Sequence, residues 1–320
     1  MEMRQLKYFL AVANSGSLSR AALEVFVAQS ALSKQIAELE DELGVKLLSR
    51  SRTGVSVTEA GQIFYSYAQA ILKQLSDVKS AVLSSPLSIV GSVVLGLPQS
   101  VSAALALPLF RAAREKLPGV SLHLNEELTG NMVDQLRQGR VDLAIFSPIT
   151  TYADVVFTAF VQEEFYLLRG DETSGDYPQS GDMDLARVAR HALIMPASQH
   201  SHCTREPIAA ALGEAGLPFK IAAEINSVHI LKSAVEAGTA ATVMPYALAA
   251  HEIAAGRMHA HRIRPEFVSR TLGVCYSSHV PLTNAKKAVC ELVFTVARQL
   301  CETGSWVGAS YIGPSTDAVQ

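Results

Sequence analysis

Leu6, Phe9, Leu10 and Ala13 recur at i, i+3, i+4 and i+7, the spacing of one apolar helical stripe. Gly16 breaks it, and Ser17 is placed to cap a second helix carrying Leu18, Ala21, Ala22 and Val25. A third stripe, Leu32, Ile36, Leu39 and Leu43, closes at Gly44. Short helices joined by a tight turn, with alanines where they pack, predict a helix-turn-helix. Residues 45–50, a polar turn over 51–54 and residues 55–57 then predict a β-hairpin wing carrying Arg50 and Arg52. Thr58 caps a long helix running to about Leu83. In it Phe64, Ala68, Ile71, Leu75, Val78 and Val82 are spaced 4, 3, 4, 3, 4, a narrow heptad seam that predicts dimerisation. Ser84-Ser85-Pro86 ends the helix, and a linker follows to Gly91.

From Gly91 the pattern becomes strand and helix in alternation. Strands are predicted at 93–97, 120–125, 141–146, 165–168, 192–195, 220–223, 240–244 and 271–276. Helices are predicted at 101–116, 132–138, 206–214, 228–237, from Tyr246, and at 285–301. Alternation of this kind implies parallel sheets, and two runs of it imply two α/β lobes. The late strand and final helix return to the first lobe. Residues 178–182 read as a loop, and the chain after Gly304 as a poorly ordered tail. The expected domains are 1–58 (winged helix-turn-helix), 59–88 (linker and dimerisation helix with hinge), 89–304 (sensor) and 305–320 (flexible tail). Within the sensor, lobe I is 89–163 with 270–304, and lobe II is 164–269.

Composition narrows the picture only a little. The 320 residues are 49% hydrophobic and 18% charged, the balance of a globular chain, and that length favours more than one domain. Net charge is −3, which by itself does not point to nucleic acid. The first 65 residues balance Arg4, Lys7, Arg20, Lys34, Lys46, Arg50 and Arg52 against Glu2, Glu24, Glu38, Glu40, Asp41, Glu42 and Glu59. The distribution of these charges therefore matters more than their sum. No secretory signal or membrane-length apolar run is read, so a cytoplasmic location without a membrane partner is expected. Cys203, Cys275, Cys290 and Cys301 show no C-x-x-C spacing, and His200-x-His202-Cys203 matches no familiar metal template. No metal or cofactor is expected. Catalytic signatures are equally missing: no G-x-S-x-G, phosphate loop or paired carboxylates.

Gly16-Ser17-Leu18-Ser19-x-Ala21-Ala22, Ala28-Gln29-Ser30-Ala31-Leu32-Ser33, Leu39-Glu40-x-x-Leu43-Gly44, Leu47-Leu48-x-Arg50 and Thr58-x-Ala60-Gly61 follow one another without gaps. Together they closely resemble the LysR-type transcriptional regulators, with a hint of the nitrogen-assimilation-control-like branch. Pro118-x-Val120, Leu136-x-x-Gly139-x-Val141-Asp142-Leu143-Ala144-Ile145 and Ala237-Gly238 leading to Met244-Pro245 extend the resemblance over nearly the whole chain. Two positions depart from it. Ser30 stands where many members have Pro, and Leu48 where many have Phe.

The resemblance implies a DNA-binding regulator with a two-lobed sensor domain like the periplasmic solute-binding proteins. Its third helix would enter the major groove of promoter DNA. There Gln29 suits bidentate pairing with adenine, Ser30, Ser33 and Gln35 reach bases or phosphates, and Lys34 meets phosphate. Arg50 and Arg52 on the wing would meet the backbone or minor groove. The resemblance also implies a homotetramer built as a dimer of dimers, and contact with RNA polymerase. A ligand is expected beyond the carboxyl ends of the strands, between the lobes. The candidates there are Ser100, Ser102, Thr129, Ser147, His202, Thr204, Arg205 and Ser227, with helix N-termini and Arg205 favouring a small organic anion. Two rival readings remain: a solute-binding module whose N-terminal helices only dimerise, and an α/β enzyme, for which no nucleophile and base pair is found.

Overall fold

The computed structural model describes residues 1–314 except 52–53, 84–88, 128, 149, 151, 171–180, 198–201 and 265–267. The side chains of Ser80, Ala81, Leu83, Thr129, His202 and Cys203 also lie outside the described set. The contacts divide into two units, 1–85 with 137–140, and 86–136 with 141–320.

In the first unit α1 (Met3–Ser15), α2 (Leu18–Glu24) and α3 (Gln29–Leu43) precede an antiparallel hairpin of β1 (Leu48–Ser51) and β2 (Gly54–Val57), then α4 (Glu59–Leu83). Phe9, Val12, Ala21, Leu32, Ile36, Leu39 and Leu47 form its buried core. Ser17 and Thr58 accept from backbone N–H groups three residues on, the capping expected of them. Gly16 ends α1 at φ 62°, and its carbonyl accepts from Val55 N at 2.9 Å, which ties the wing to the first turn. Gly61 has a different reason: a Cβ there would lie 2.0 Å from the Leu47 carbonyl oxygen, so only glycine lets α4 start against the wing.

The second unit opens with β3 (Gly91–Leu97), followed by α5 (Gln99–Val101), a π turn over Ser102–Ala106 and α6 (Leu107–Lys116). The sequence predicts one helix here. Pro108 cannot donate back to Ala104, and the helix widens just ahead of it. Next come β4 (Val120–Glu126), α7 (Thr129–Arg137), β5 (Leu143–Phe146) and the fifteen-residue β6 (Val155–Arg169). The chain continues through β7 (Gly181–Asp184), α8 (Leu185–Val188), β8 (Leu193–Met195), α9 (His202–Glu214) and β9 (Ile221–Glu224). It then forms α10 (Val228–Glu236), β10 (Thr242–Pro245), a 3-10 turn, α11 (Ala250–Ala254) and β11 (His259–Arg264). β12 (Ser269–Ser277), α12 (Asn284–Glu302) and β13 (Ala309–Tyr311) complete it.

Strand order is β4-β3-β5-β12-β6-β11-β7, with β10 and β13 also on β6. Among the described strands the β3–β4, β3–β5, β7–β11 and β8–β9 pairs are parallel, whereas every named partner of β6 is antiparallel to it. The expectation of parallel sheets is corrected accordingly. The N-terminal half of β6 pairs with β12 beside one core, centred on Leu95, Leu105, Leu143, Phe160 and Val293. Its C-terminal half pairs with β10 and β11 beside another, centred on Phe165, Leu167, Val243 and Ile263. One strand thus serves two lobes. At the crossing Phe165 N donates to Val268 O at 2.7 Å, so both passages of the chain run side by side.

Polar groups pin the lobes internally. In the first, buried Lys286 on α12 pairs with Asp142 at 2.9 Å, and Asp142 accepts from Val94 N. In the second, His261 accepts from Arg169 Nε at 3.0 Å. Burial and that guanidinium hold the imidazole down to about 4, which keeps it neutral.

Two loop assignments are also corrected. Gly181 and Asp182 belong to β7, paired in parallel with β11. Residues 305–314 are not a loose tail. Trp306 is 1% exposed within the first-lobe core, β13 pairs with residues 161–163 of β6, and Ile312 N donates to Phe160 O. A large indole and three strand residues outweigh the entropy of ordering so short a segment. Deleting residues 305–320 should therefore cost roughly 3–5 kcal/mol in urea unfolding, as loss of a buried Trp does. An unchanged midpoint would mean that the segment contributes nothing.

Candidate DNA-reading face and ligand cleft

α3 begins at Ala28, which gives no side-chain cap, and leads with Gln29 and Ser30, both exposed. Ser33 lies one turn beyond Gln29, and Lys34 one turn beyond Ser30, so these four share the first two turns on the outer side. Gln29 Oε1 accepts from Ser19 on α2 at 3.0 Å. Ser33 Oγ accepts from Arg50 Nη2 at 3.0 Å, which brings wing and helix into one polar surface. Lys34 is exposed and 3.8 Å from Glu38. Gln35 does not join this surface. It lies about 200° round the helix from Ser33, half-buried, with Nε2 donating to Glu38 at 2.6 Å. Arg52 lies outside the described residues.

Glu40 fixes this surface from behind. Its carboxylate is buried and accepts from Leu47 N at 2.9 Å, Leu48 N at 3.0 Å and Lys46 Nζ at 2.7 Å. The far end of α3 is thereby tied to the root of the wing. Burial raises its pKa, but the Lys46 and backbone bonds outweigh burial and leave it below the usual carboxylate range.

The heptad seam divides along α4. Phe64 stands edge-on to Phe9 of α1, ring centroids 5.0 Å apart, and Ala68 is buried; these two complete the chain's own packing. Leu75 is half-buried. Ile71, Val78 and Val82 are exposed, and Ile63 and Tyr67, which heptad spacing passes over, extend the exposed apolar stripe. The seam fails at its start because α4 lies on α1 there.

In the second unit a cleft with a cavity volume of about 50 Å³, open to solvent, lies between the lobes. One wall is Pro98, Gln99 and Ser100 after β3, with Glu127 after β4. The other is Pro196, Thr204, Asn226, Val228, Met244, Pro245 and Leu248, and Arg270 of β12 lies between. Ser100 and Thr204 are thus where sequence places them. Ser102 sits two residues past Ser100, on another side of the helix, and Ser147 lies between Phe146 and Pro148, which line a separate apolar cavity. Arg205 stacks over Phe219 and pairs with Glu224, and Ser227 caps α10; neither lines the cleft. The side chains of Thr129 and His202 lie outside the described residues.

The residue that sequence missed is Arg270. It is 5% exposed, with Nε and Nη2 on Glu163 Oε2 at 2.9 and 2.6 Å, Nη2 also donating to Ser100, and its guanidinium over the Phe165 ring. Trp306 Nε1 donates to the other oxygen of Glu163 at 3.1 Å. An arginine on an ordinary strand carries no motif, so no local signal marked it.

The profile of the LysR substrate binding domain matches residues 88–298, and that of the bacterial regulatory helix-turn-helix protein, lysR family, matches residues 3–62. The chain belongs to the LysR family. The nitrogen assimilation regulatory protein nac of Klebsiella aerogenes is similar, 32% identical over 92% of this chain and 95% of its own. OxyR of Escherichia coli K12, a DNA-binding transcriptional dual regulator, is 27% identical with the same coverage. Among solved structures, full-length CbnR bound to its target DNA superposes with a TM-score of 0.70 at 22% identity, covering 92% of this chain and all of that one. A full-length OxyR variant from Pseudomonas aeruginosa reaches 0.67, covering 92% and 94%. The last two establish the fold.

As a LysR-family protein the chain is a helix-turn-helix transcriptional regulator with an effector-binding domain. Burial pushes the Cys290 thiol to about 12 and the Cys301 thiol to about 11, and raises Cys275 further, so these three stay protonated near neutrality. Among the described residues no three His, Cys, Asp or Glu are grouped to hold a metal, and no helix is long and apolar enough to cross a membrane.

Glu40→Gln should destabilise this LysR-family chain by about 1–3 kcal/mol at neutral pH, since buried N–H groups lose a charged acceptor. A lowered folded pKa gives stability that is present above the ordinary value of 4.5 and is lost as pH falls through the folded value. The gap between wild type and variant in thermal melts should close over that acid range. A gap independent of pH would contradict the assignment.

Proposed function

We propose that this regulator reads promoter DNA with Gln29, Ser30, Ser33, Lys34 and Arg50, and answers to a small carboxylate-bearing metabolite held in the cleft by Ser100, Thr204 and Arg270. Residues 1–58 bind DNA, the exposed stripe on α4 joins two copies, and residues 89–314 sense the ligand. The observation that carries the reading is the Arg50–Ser33 bond, which makes wing and recognition helix one exposed polar face. A helix of this kind in the major groove, flanked by a wing arginine, contacts bases and backbone together. CbnR, a structural neighbour, is known with its target DNA. Two half-sites then call for a dimer, and a dimer of dimers contacting RNA polymerase is the assembly proposed, acting in the cytoplasm rather than as an enzyme. A ligand touching both walls of the cleft favours the arrangement in which both reach it, and shifts DNA binding by that difference in affinity.

Gln29→Ala should relax preference at one base position at a cost of roughly 1–3 kcal/mol. Arg50→Ala should instead weaken all sequences alike and flatten the dependence on salt. Mobility shifts on the chain's own promoter region and on scrambled DNA read both effects. Wild-type behaviour in both variants would remove α3 as the reading helix.

A further inference from the structure

The first lobe carries a second cavity that shares no described lining residue with the cleft and is larger, about 270 Å³ against about 50 Å³. It lies on the face of the sheet that α7 packs against. There Ala144, Phe146 and Cys275 join Met132, Val133 and Leu136 in one buried cluster. α7 is nine residues long, and none of its described side chains lines the cavity. Toward the start of β6 the walls are rings instead: Phe146, Tyr152 and Phe157, with Pro148 and Val155 beside them.

The strands shape this space. Phe157 and Cys275 are partners in the register of β6 and β12, and Gly273 stands two residues from Cys275 on the same face. A Cβ at Gly273 would overlap the Phe157 ring, so the glycine lets that ring lie down on the sheet. Phe157 remains 37% exposed, an aromatic surface that the chain does not finish covering. Cys275 is fully buried behind it, and its Sγ donates to Gly273 O at 3.7 Å.

None of the described lining residues is Asp, Glu, Lys, Arg or His. Burial keeps the Cys275 thiol protonated, so this described wall is neutral. A charged ligand would lose its water here with no opposite charge to replace it. A neutral ring gains from the same wall, through ring edges and faces and a sulfur. An apolar cavity of about 150 Å³ already admits benzene, so this one has room for two fused rings. Thr150, exposed at the rim, brings a hydroxyl for one polar substituent.

We infer that this cavity binds a neutral aromatic molecule of one or two rings, at a site separate from the cleft. Charge tells the two sites apart, because the cleft presents Arg270 and the cavity presents none among its described residues. The inference does not depend on what the cleft holds.

The test is titration calorimetry of the full-length protein with phenol, indole and 1-naphthol, each alone and in competition with 1-naphthoate. At least one neutral ring should bind at one site per chain, and 1-naphthoate should not displace it. Val155→Trp fills the cavity from β6 and should weaken that ring by roughly tenfold or more. Thr150→Trp fills it from an exposed position, so the same loss is read without disturbing the core. Thr204→Val, in the cleft, should leave the ring's affinity unchanged. Binding kept in both tryptophan variants would overturn the site, and a loss confined to Thr204→Val would place the ring in the cleft instead. Displacement by 1-naphthoate as effective as by 1-naphthol would overturn the neutral class. No binding by any of the three neutral rings would overturn the proposal outright.

Discussion

The second unit depends on a buried ion pair at the one place where it has least choice. β6 and β12 run side by side past the junction of the two lobes, and Glu163 and Arg270 face each other there in register. Isolated, either charge would be far too costly to bury. Together they satisfy each other, and Ser100, Trp306 and the Phe165 ring use the remaining valences and surfaces. The strand crossing, the packing of the C-terminal segment and the electrostatics of the cleft are therefore one constraint. Serine on the cleft wall, indole in the core and guanidinium between them cannot be changed independently.

The first unit shows the same logic at smaller scale. Glu40 gathers two backbone N–H groups and Lys46, so the wing leaves α3 at a fixed place. With the wing fixed, Arg50 reaches Ser33, and the proposed reading face is already assembled within the chain itself. Preorganisation of this kind lowers the ordering entropy that binding would otherwise require. Gly61 belongs to the same arrangement, since its missing side chain lets α4 pack against the backbone at Leu47.

Much of this was legible in the sequence where pattern is local. Helical periodicity, the Gly16 and Gly44 stops, the Ser17 and Thr58 caps and the wing hairpin all rest on contacts within a few residues. What escaped was non-local. The N-terminal half of β6 reads as no strand because Glu163 and Glu164 interrupt its apolar alternation, and only Arg270, 107 residues on, explains Glu163. Trp306 stands two residues past Gly304 and looks like the start of a tail until β6 is seen to offer an edge to β13. The cleft candidates divide likewise. Ser100 and Thr204 line the cleft, as expected of helix starts after strands, whereas Ser102, Ser147, Arg205 and Ser227 share that signal and are not among its described lining residues. Position at a helix start locates a neighbourhood; which side chains enter the cleft depends on the twist and partners of each helix. The α4 seam failed for a similar reason, since heptad spacing cannot tell a partner helix from α1.

The central claim is that Glu163 and Arg270 act as one unit, and a double-mutant cycle in urea tests it most directly. Full-length wild type, Glu163→Gln, Arg270→Met and the double variant would be unfolded under the same conditions. Each single change strands its partner's charge and should cost about 3–5 kcal/mol, while the double variant, with no buried charge left unpaired, should cost much less than their sum. Losses that simply add, to within about 0.5 kcal/mol, would show the two residues to be independent and would contradict the account.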